Sequence, residues 1–278
     1  MEMLGLECCP LIEGVRSAVV EFRVGLLTFL MVLVAAGLCP TVAMAARKAD
    51  QPVTVYLAGD STVASYPASR APLTGWGQVL ERFFTDAITV KNEAVSGRSS
   101  KSFIDEGRLT AILNAIQPGD YLFIQFAHND EKSADPKRYT EPQTSFKAYL
   151  RQYVDGARVK GAYPILVTPM HRRGFVADGT IRFSHGEYPN AILELADEMQ
   201  VPVVDLHQKS QALFEAVGVS GTKRLFLWLD KGEHPNYPDG KEDNTHFSEH
   251  GAVEIARLVV EGLREAKIPL ADYLKDEG

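Results

Sequence analysis

From Pro52 onward the chain alternates short β-rich runs with longer amphipathic segments, and this alternation limits the fold more than any other feature. Residues 53–58 (VTVYLA), 88–92, 121–126 (YLFIQF), 164–168 (PILVT) and 201–205 (VPVVD) have the length and the β-branched and aromatic content of buried strands. Between and after them, residues 77–84, 102–116, 144–160, 188–199 and 248–266 repeat apolar side chains at helical spacing. In the last segment Ala252, Ile255, Ala256, Val259, Val260 and Leu263 fall on one face. Strands separated by helices pair in parallel through right-handed crossovers. The expectation is an α/β fold, a three-layer α/β/α sandwich around a central, mainly parallel five-stranded sheet.

The N-terminal stretch stands outside this pattern. Residues 25–39 (GLLTFLMVLVAAGLC) form an uncharged apolar run followed by Ala43-Met44-Ala45, the layout of a cleavable signal peptide. We therefore assign 1–45 to a signal peptide and 46–278 to a single domain, with export to the periplasm or beyond and no stable membrane association after cleavage. A membrane anchor is the competing reading, since a spanning helix needs only about 18 to 20 apolar residues. A lipoprotein is a poorer fit, because Leu38 precedes Cys39 where a small residue is wanted. The stretch before Arg23 is long and carries Glu2, Glu7, Glu13 and Glu21, so the expected translation start lies further along the chain.

Cys8, Cys9 and Cys39 all fall in this leader, so the expected mature chain has no thiol for a disulfide, a thiolate nucleophile or a cysteine-bound metal. The formal charge is −7, of which the leader contributes −2 through its four Glu against Arg16 and Arg23. That balance offers nothing to a nucleic acid. At 45% hydrophobic and 23% charged residues, the composition excludes disorder. Neither a P-loop nor a dinucleotide fingerprint follows the first strand, and no cofactor is expected.

In open α/β sheets the ligand sits outside the carboxyl ends of the strands, and the polar clusters lie there. The first strand runs into Gly59-Asp60-Ser61, the second into Val95-Ser96-Gly97-Arg98, and the third into Ala127-His128-Asn129-Asp130. A serine hydroxyl attacks only when a base removes its proton, and the base needs a third group to fix its tautomer. Asp243 and His246, three apart before the final helix, can supply orienter and base from one turn. The N–H groups of Ser61 and Gly97 and the amide of Asn129 are candidate oxyanion donors. Each piece has an ordinary counterpart: a capping Gly-Asp-Ser turn, a surface Asp-x-x-His pair, a turn Asn. Their order and placement at successive strand ends favour catalysis.

The set Gly59-Asp60-Ser61, Gly97, Asn129-Asp130 and Asp243-x-x-His246 resembles the four blocks of the SGNH (GDSL) hydrolases, whose fold is flavodoxin-like. Within that superfamily the strings GDSTV, NEAVSGRSSKSF, QFAHND, TPMHRRGF and DNTHFSEHGA look most like rhamnogalacturonan acetylesterases, which release acetyl groups from pectin. The resemblance implies a serine esterase with Ser61 as nucleophile, His246 as base, Asp243 as orienter and Ser61, Gly97 and Asn129 around the oxyanion. Acetylxylan, another glycan or a lipid ester are alternative substrates, and a carbohydrate-binding protein without turnover is the non-enzymatic one. One departure is Ala127, where the third block usually begins with Gly; it matters if that position needs positive φ.

Galacturonan carries carboxylates, so Arg172 and Arg173, after the fourth strand, are candidate substrate ligands, with a solvated basic turn as the alternative. Arg98 and His128, inside the second and third blocks, join them as candidates. Trp76 offers either a sugar-stacking face or core packing. His246 and His250 could share a metal, but the order is not His-Glu-x-x-His and no third ligand is apparent. The acidic residues Asp230, Glu233, Asp239 and Glu242 match no EF-hand spacing, so no metal is expected. The stretch 230–245 reads as a long irregular loop leading to His246.

Overall fold

β1 (Val53–Gly59) is buried along nearly its whole length, as a strand covered on both faces must be. It leads through α1 (Trp76–Val79) and a 3-10 turn to β2 (Ile88–Asn92), whose alternating exposure marks an edge. α2 (Ser100–Asp105) and α3 (Arg108–Ala115) then precede β3 (Tyr121–Gln125). α4 (Lys147–Val159), β4 (Tyr163–Val167), α5 (Tyr188–Met199) and β5 (Val203–Val204) complete the sheet. The chain continues through α6 (Leu206–Gly221), β6 (Phe226–Leu229), β7 (Lys241–Phe247) and α7 (Glu249–Glu265). This computed structural model describes residues 52 to 276, so the leader read at 1–45 and its cysteines lie outside the described residues.

The five strands pair in parallel in the order β2-β1-β3-β4-β5. Because successive side chains of a strand point to opposite faces, β1 sends Val53, Val55 and Leu57 into one core and Tyr56 and Ala58 into the other. The first core is closed by Trp76, Phe214 and the apolar face of α7, including Ile255, Ala256, Val259 and Leu263. The second is closed by Phe103, Ile112, Tyr153, Val154 and Leu195. The expected three-layer α/β/α sandwich is thus the observed one.

The strand order reverses beside β1, because the chain leaves it for β2 on one side and returns as β3 on the other. Such a switch point opens a crevice at the carboxyl ends of the two strands. Ser61 and Asn129 follow those two ends within four residues.

Four local expectations need correction. The single helix read at 102–116 is two, because Gly107 takes φ 73°, a left-handed value that breaks the helix. The strand read at 201–205 is paired only over Val203–Val204. α6 was not anticipated: Asp205 caps it by accepting from Gln208 N, but its buried stripe includes His207 and Ser210, which weakens the apolar period. The stretch read as a loop at 230–245 ends in β7, which pairs antiparallel with β6. That strand is polar (KEDNTHF) and owes its extended form to its partner rather than to local propensity.

Candidate active site

Ser61 opens the turn that follows β1, with Val63 N and Ala64 N both donating to the Asp60 carbonyl. The Asp60 carboxylate is fully buried and accepts from Thr62 N at 2.9 Å and Thr62 Oγ1 at 2.8 Å. Thr62 Oγ1 in turn accepts from Gln125 Nε2 at 2.8 Å, and Gln125 Oε1 accepts from Trp76 Nε1 at 2.7 Å. Trp76 is therefore core, with no exposed face for a sugar, and ends a buried chain that fixes the Ser61 turn. Burial raises the Asp60 carboxyl, but His128 and the Thr62 donors outweigh it and hold the group below its ordinary value.

On the solvent side, the Ser61 carbonyl accepts from Tyr66 Oη at 2.6 Å, and the same hydroxyl lies 2.9 Å from Ser96 Oγ. Tyr66 thus ties the Ser61 turn to the loop carrying Gly97. Nothing in its sequence context marked it for this role.

β7 carries Asp243 and His246, the candidate acid-base pair. His246 Nε2 stands 2.9 Å from Ser61 Oγ, and its Nδ1 stands 2.9 Å from Asp243 Oδ2. The other Asp243 oxygen accepts from the backbone N–H of Thr245 at 2.8 Å and of His246 at 2.9 Å. Burial raises the Asp243 carboxyl, yet these donors, the His246 ring first among them, hold it at about 2. An ionised Asp243 fixes the tautomer with hydrogen on Nδ1, which leaves Nε2 to take the Ser61 proton. Past β7, Ser248 caps α7 by accepting from Gly251 N at 3.1 Å. Gly251 is needed there because a Cβ would meet the Leu225 carbonyl oxygen at 1.7 Å.

Gly97 has φ 80°, and an added Cβ would meet nothing within 4 Å, so conformation rather than space calls for glycine. Among the described residues the N–H groups of Ser61 and Gly97 make no backbone hydrogen bond, which leaves both free to donate. Asn129 gives one amide hydrogen to the Arg98 carbonyl at 3.0 Å, while its Oδ1 accepts from Lys132 Nζ at 2.7 Å. The second amide hydrogen is left for a ligand. Ala127 does take positive φ, 136°, the strained conformation that the glycine usual at this position adopts without cost.

Ser61, Gly97, Asn129, Asp243 and His246 line one cleft of about 440 Å³. The four residues offered as substrate ligands do not line it. Arg98 pairs with Glu106 through Nε at 3.0 Å and donates to the Ser96 carbonyl. His128 is buried against Asp60, its Nδ1 3.4 Å from Asp60 Oδ2, and burial together with nearby His185 pushes it down to about 4. At neutral pH that contact is therefore not an ion pair. Arg173 is buried under Trp228, its guanidinium carbon 4.6 Å from the ring centroid, and bonds Thr222, Asn244 and the Val219 carbonyl. Arg172 turns away to Thr245 and Glu131. His250 is exposed in the first turn of α7.

The cations that do line the cleft are Arg70, Lys132 and Lys241, which the sequence did not single out. Only Lys132 had a signal, its position three residues after Asn129.

The GDSL-like Lipase/Acylhydrolase family model matches residues 55–259. The rhamnogalacturonan acetylesterase RhgT of Bacillus subtilis (strain 168) is 51% identical over 81% of this chain and 95% of its own. The probable rhamnogalacturonan acetylesterase YesY of the same organism is 42% identical over 80% and 98%. Among solved structures, the Bacillus subtilis protein YxiM superposes with a TM-score of 0.68 at 32% identity, covering 80% of this chain and 60% of that one. A catalytic mutant of Axe2, an acetylxylan esterase from Geobacillus stearothermophilus, gives 0.55 at 16% identity over 81% and 97%, a likeness of fold.

Proposed function

The chain belongs to the GDSL-like lipase/acylhydrolase family, and from that premise we propose that it is a secreted rhamnogalacturonan acetylesterase with Ser61 as nucleophile. The observation that carries the mechanism is the unbroken chain from Ser61 Oγ through His246 to Asp243 at the mouth of the cleft. The acetylated polysaccharide follows from the 51% identity to RhgT over most of both chains.

The reaction follows from the geometry. The acetyl carbonyl binds with its oxygen toward the N–H groups of Ser61 and Gly97 and the Asn129 amide, where the developing oxyanion meets preorganised donors. His246 Nε2 takes the proton as Ser61 Oγ bonds to the carbonyl carbon, and the forming imidazolium is balanced by Asp243. Collapse breaks the bond to the sugar oxygen, which leaves with the proton from His246. Water, deprotonated by the same nitrogen, then attacks the acetyl-Ser61 carbonyl; acetate departs and Ser61 recovers its hydrogen.

Cleft charge supports an anionic polymer. Although the chain carries a net charge of −7, the cleft presents Arg70, Lys132 and Lys241, and its one carboxylate, Asp243, is engaged with His246. Export rests on the 25–39 apolar run and Ala43-Met44-Ala45, with the enzyme free of the membrane after cleavage; N-terminal sequencing of the exported protein reads that directly.

Acetate release from acetylated rhamnogalacturonan, acetylxylan and a small chromogenic acetate, compared for the wild type and Ser61→Ala, tests the whole reading. Ser61-dependent release favouring the pectic polymer is expected. Equal or greater release from acetylxylan would overturn the substrate, and undiminished release by Ser61→Ala would overturn the mechanism.

A further inference from the structure

The 243–246 segment has a structural weakness. In the pairing of β6 with β7, Phe226 faces Phe247 and Trp228 faces Glu242, with a register shift between. The residues from Asp243 to His246 therefore have no partner in the ladder. A bulged segment lacks the hydrogen bonds that fix an ordinary strand, yet this one must present His246 to Ser61 within 2.9 Å.

The loop after β4 supplies what the ladder lacks. Arg173 N donates to the Asn244 carbonyl at 2.8 Å. Arg172 Nη1 donates to Thr245 Oγ1 at 3.0 Å, while its Nη2 meets the Glu131 carboxylate and lies 3.4 Å from the His128 carbonyl. The second Glu131 oxygen is 2.9 Å from His185 Nδ1, and His185 Nε2 is 3.1 Å from the Met170 carbonyl. Carboxylate and carbonyl both only accept, so the His185 ring, set between them, can donate to either and spans Glu131 and the Met170 carbonyl. Burial raises the Glu131 carboxyl, but His185 and Arg172 outweigh it and hold it at about 2.

We propose that Arg172 is a positioning residue for catalysis: braced by Glu131 and His185, it clamps Thr245 and so holds His246 in line with Ser61. Its fork suits the task because a planar guanidinium can hold a carboxylate and a hydroxyl at fixed angles, as a lysine cannot. The role explains why an arginine on the catalytic edge turns away from the cleft. It rests on the triad reading above. Misplacement of a catalytic group by about 1 Å costs on the order of 10² in rate, so the clamp acts on kcat without touching substrate.

The test compares Thr245→Val, Thr245→Ser, Arg172→Met and the double variant Thr245→Val/Arg172→Met on the chromogenic acetate and on acetylated rhamnogalacturonan, with melting temperatures alongside. Thr245→Val, which keeps shape and loses the acceptor, should lower kcat on both substrates by about 10- to 100-fold with KM little changed. Thr245→Ser should recover most of the activity. The double variant should be no slower than the worse single one, since both cut one link. Full activity of Thr245→Val, additive losses, or an Arg172→Met defect confined to KM on the polymer would each overturn the clamp, the last returning Arg172 to substrate binding. Should Arg172→Met fail to fold, the Val and Ser pair at Thr245 decides. Ser61→Ala in the same assay separates the premises: activity surviving it removes the triad itself, whereas Ser61-dependent activity indifferent to Thr245→Val removes only the clamp.

Discussion

Ser61 Oγ and His246 Nε2 stand 2.9 Å apart although 185 positions separate them in the chain. Replacing either residue by Ala should lower kcat by several powers of ten with the fold intact. Asp243→Asn should cost about 10³- to 10⁴-fold, because the amide can stabilise the wrong His246 tautomer. Steady-state kinetics on the chromogenic acetate, with circular dichroism as the control, reads all three.

Asn129 should behave as a donor that acts mainly in the transition state. Asn129→Ala is expected to lower kcat by about 10² to 10³ and to leave KM nearly unchanged. Lys132→Met removes the nearer donor to Asn129 Oδ1, at 2.7 Å, and leaves only Arg138 Nη1 at 3.5 Å, so it should give a smaller loss in the same parameter. A rise in KM alone for either variant would place the residue in substrate binding instead.

The acid limb of stability has a defined sign. Asp243 and Glu131, both held at about 2, lie below their ordinary values of 3.8 and 4.5. A carboxyl depressed on folding adds stability that is full above the unfolded value and lost as pH falls toward the folded one. Urea unfolding should therefore show stability declining between about pH 4.5 and 2. In Asp243→Asn the decline should be shallower by roughly 2 kcal/mol across that window. Parallel curves for the two proteins would contradict the assignment.

Arg70 and Lys241 line the cleft and can meet carboxylates of an anionic chain. Arg70→Gln and Lys241→Gln should raise KM for acetylated rhamnogalacturonan by several-fold and leave the neutral chromogenic acetate unaffected. Added salt should raise the wild-type KM for the polymer, because exposed charges are screened within about 8 Å at physiological ionic strength.

Ala127, with φ 136°, offers a test of backbone strain. Such a conformation costs a non-glycine residue about 1 to 3 kcal/mol. Against that, glycine adds about 0.4 to 1 kcal/mol of unfolded-state freedom and loses about 0.8 kcal/mol of methyl burial. The terms nearly balance, so Ala127→Gly should leave the melting temperature within a few degrees of wild type or raise it. A large drop would show the backbone there to be relaxed.

The layer architecture was legible because it is written in local periods. The runs at 53–58 and 121–126 read as covered strands and the apolar face of 248–266 as a packed helix, and each is found as such. Once the sheet was parallel, the ends of β1 and β3 had to meet at its switch point, and the polar residues after them had to share an edge. Ser61, Gly97, Asn129, Asp243 and His246 could be picked out on that ground, and the structure brings all five to one cleft.

What the sequence by itself determined was therefore that these five residues share one edge of the sheet; which other residues join them there, and which way the side chains point, was decided by the tertiary structure. Arg172 and Arg173 sit on that edge as a sequence reading places them, yet one is drawn to Glu131 and Thr245 and the other under Trp228. Trp76 could have faced a sugar and instead donates to buried Gln125. The polar segment at 241–247 has no strand signal of its own and becomes a strand only on meeting Phe226–Leu229. These outcomes depend on partners tens of residues away, and side-chain direction follows the lowest-energy set of long-range pairings. A local period carries no record of those pairings.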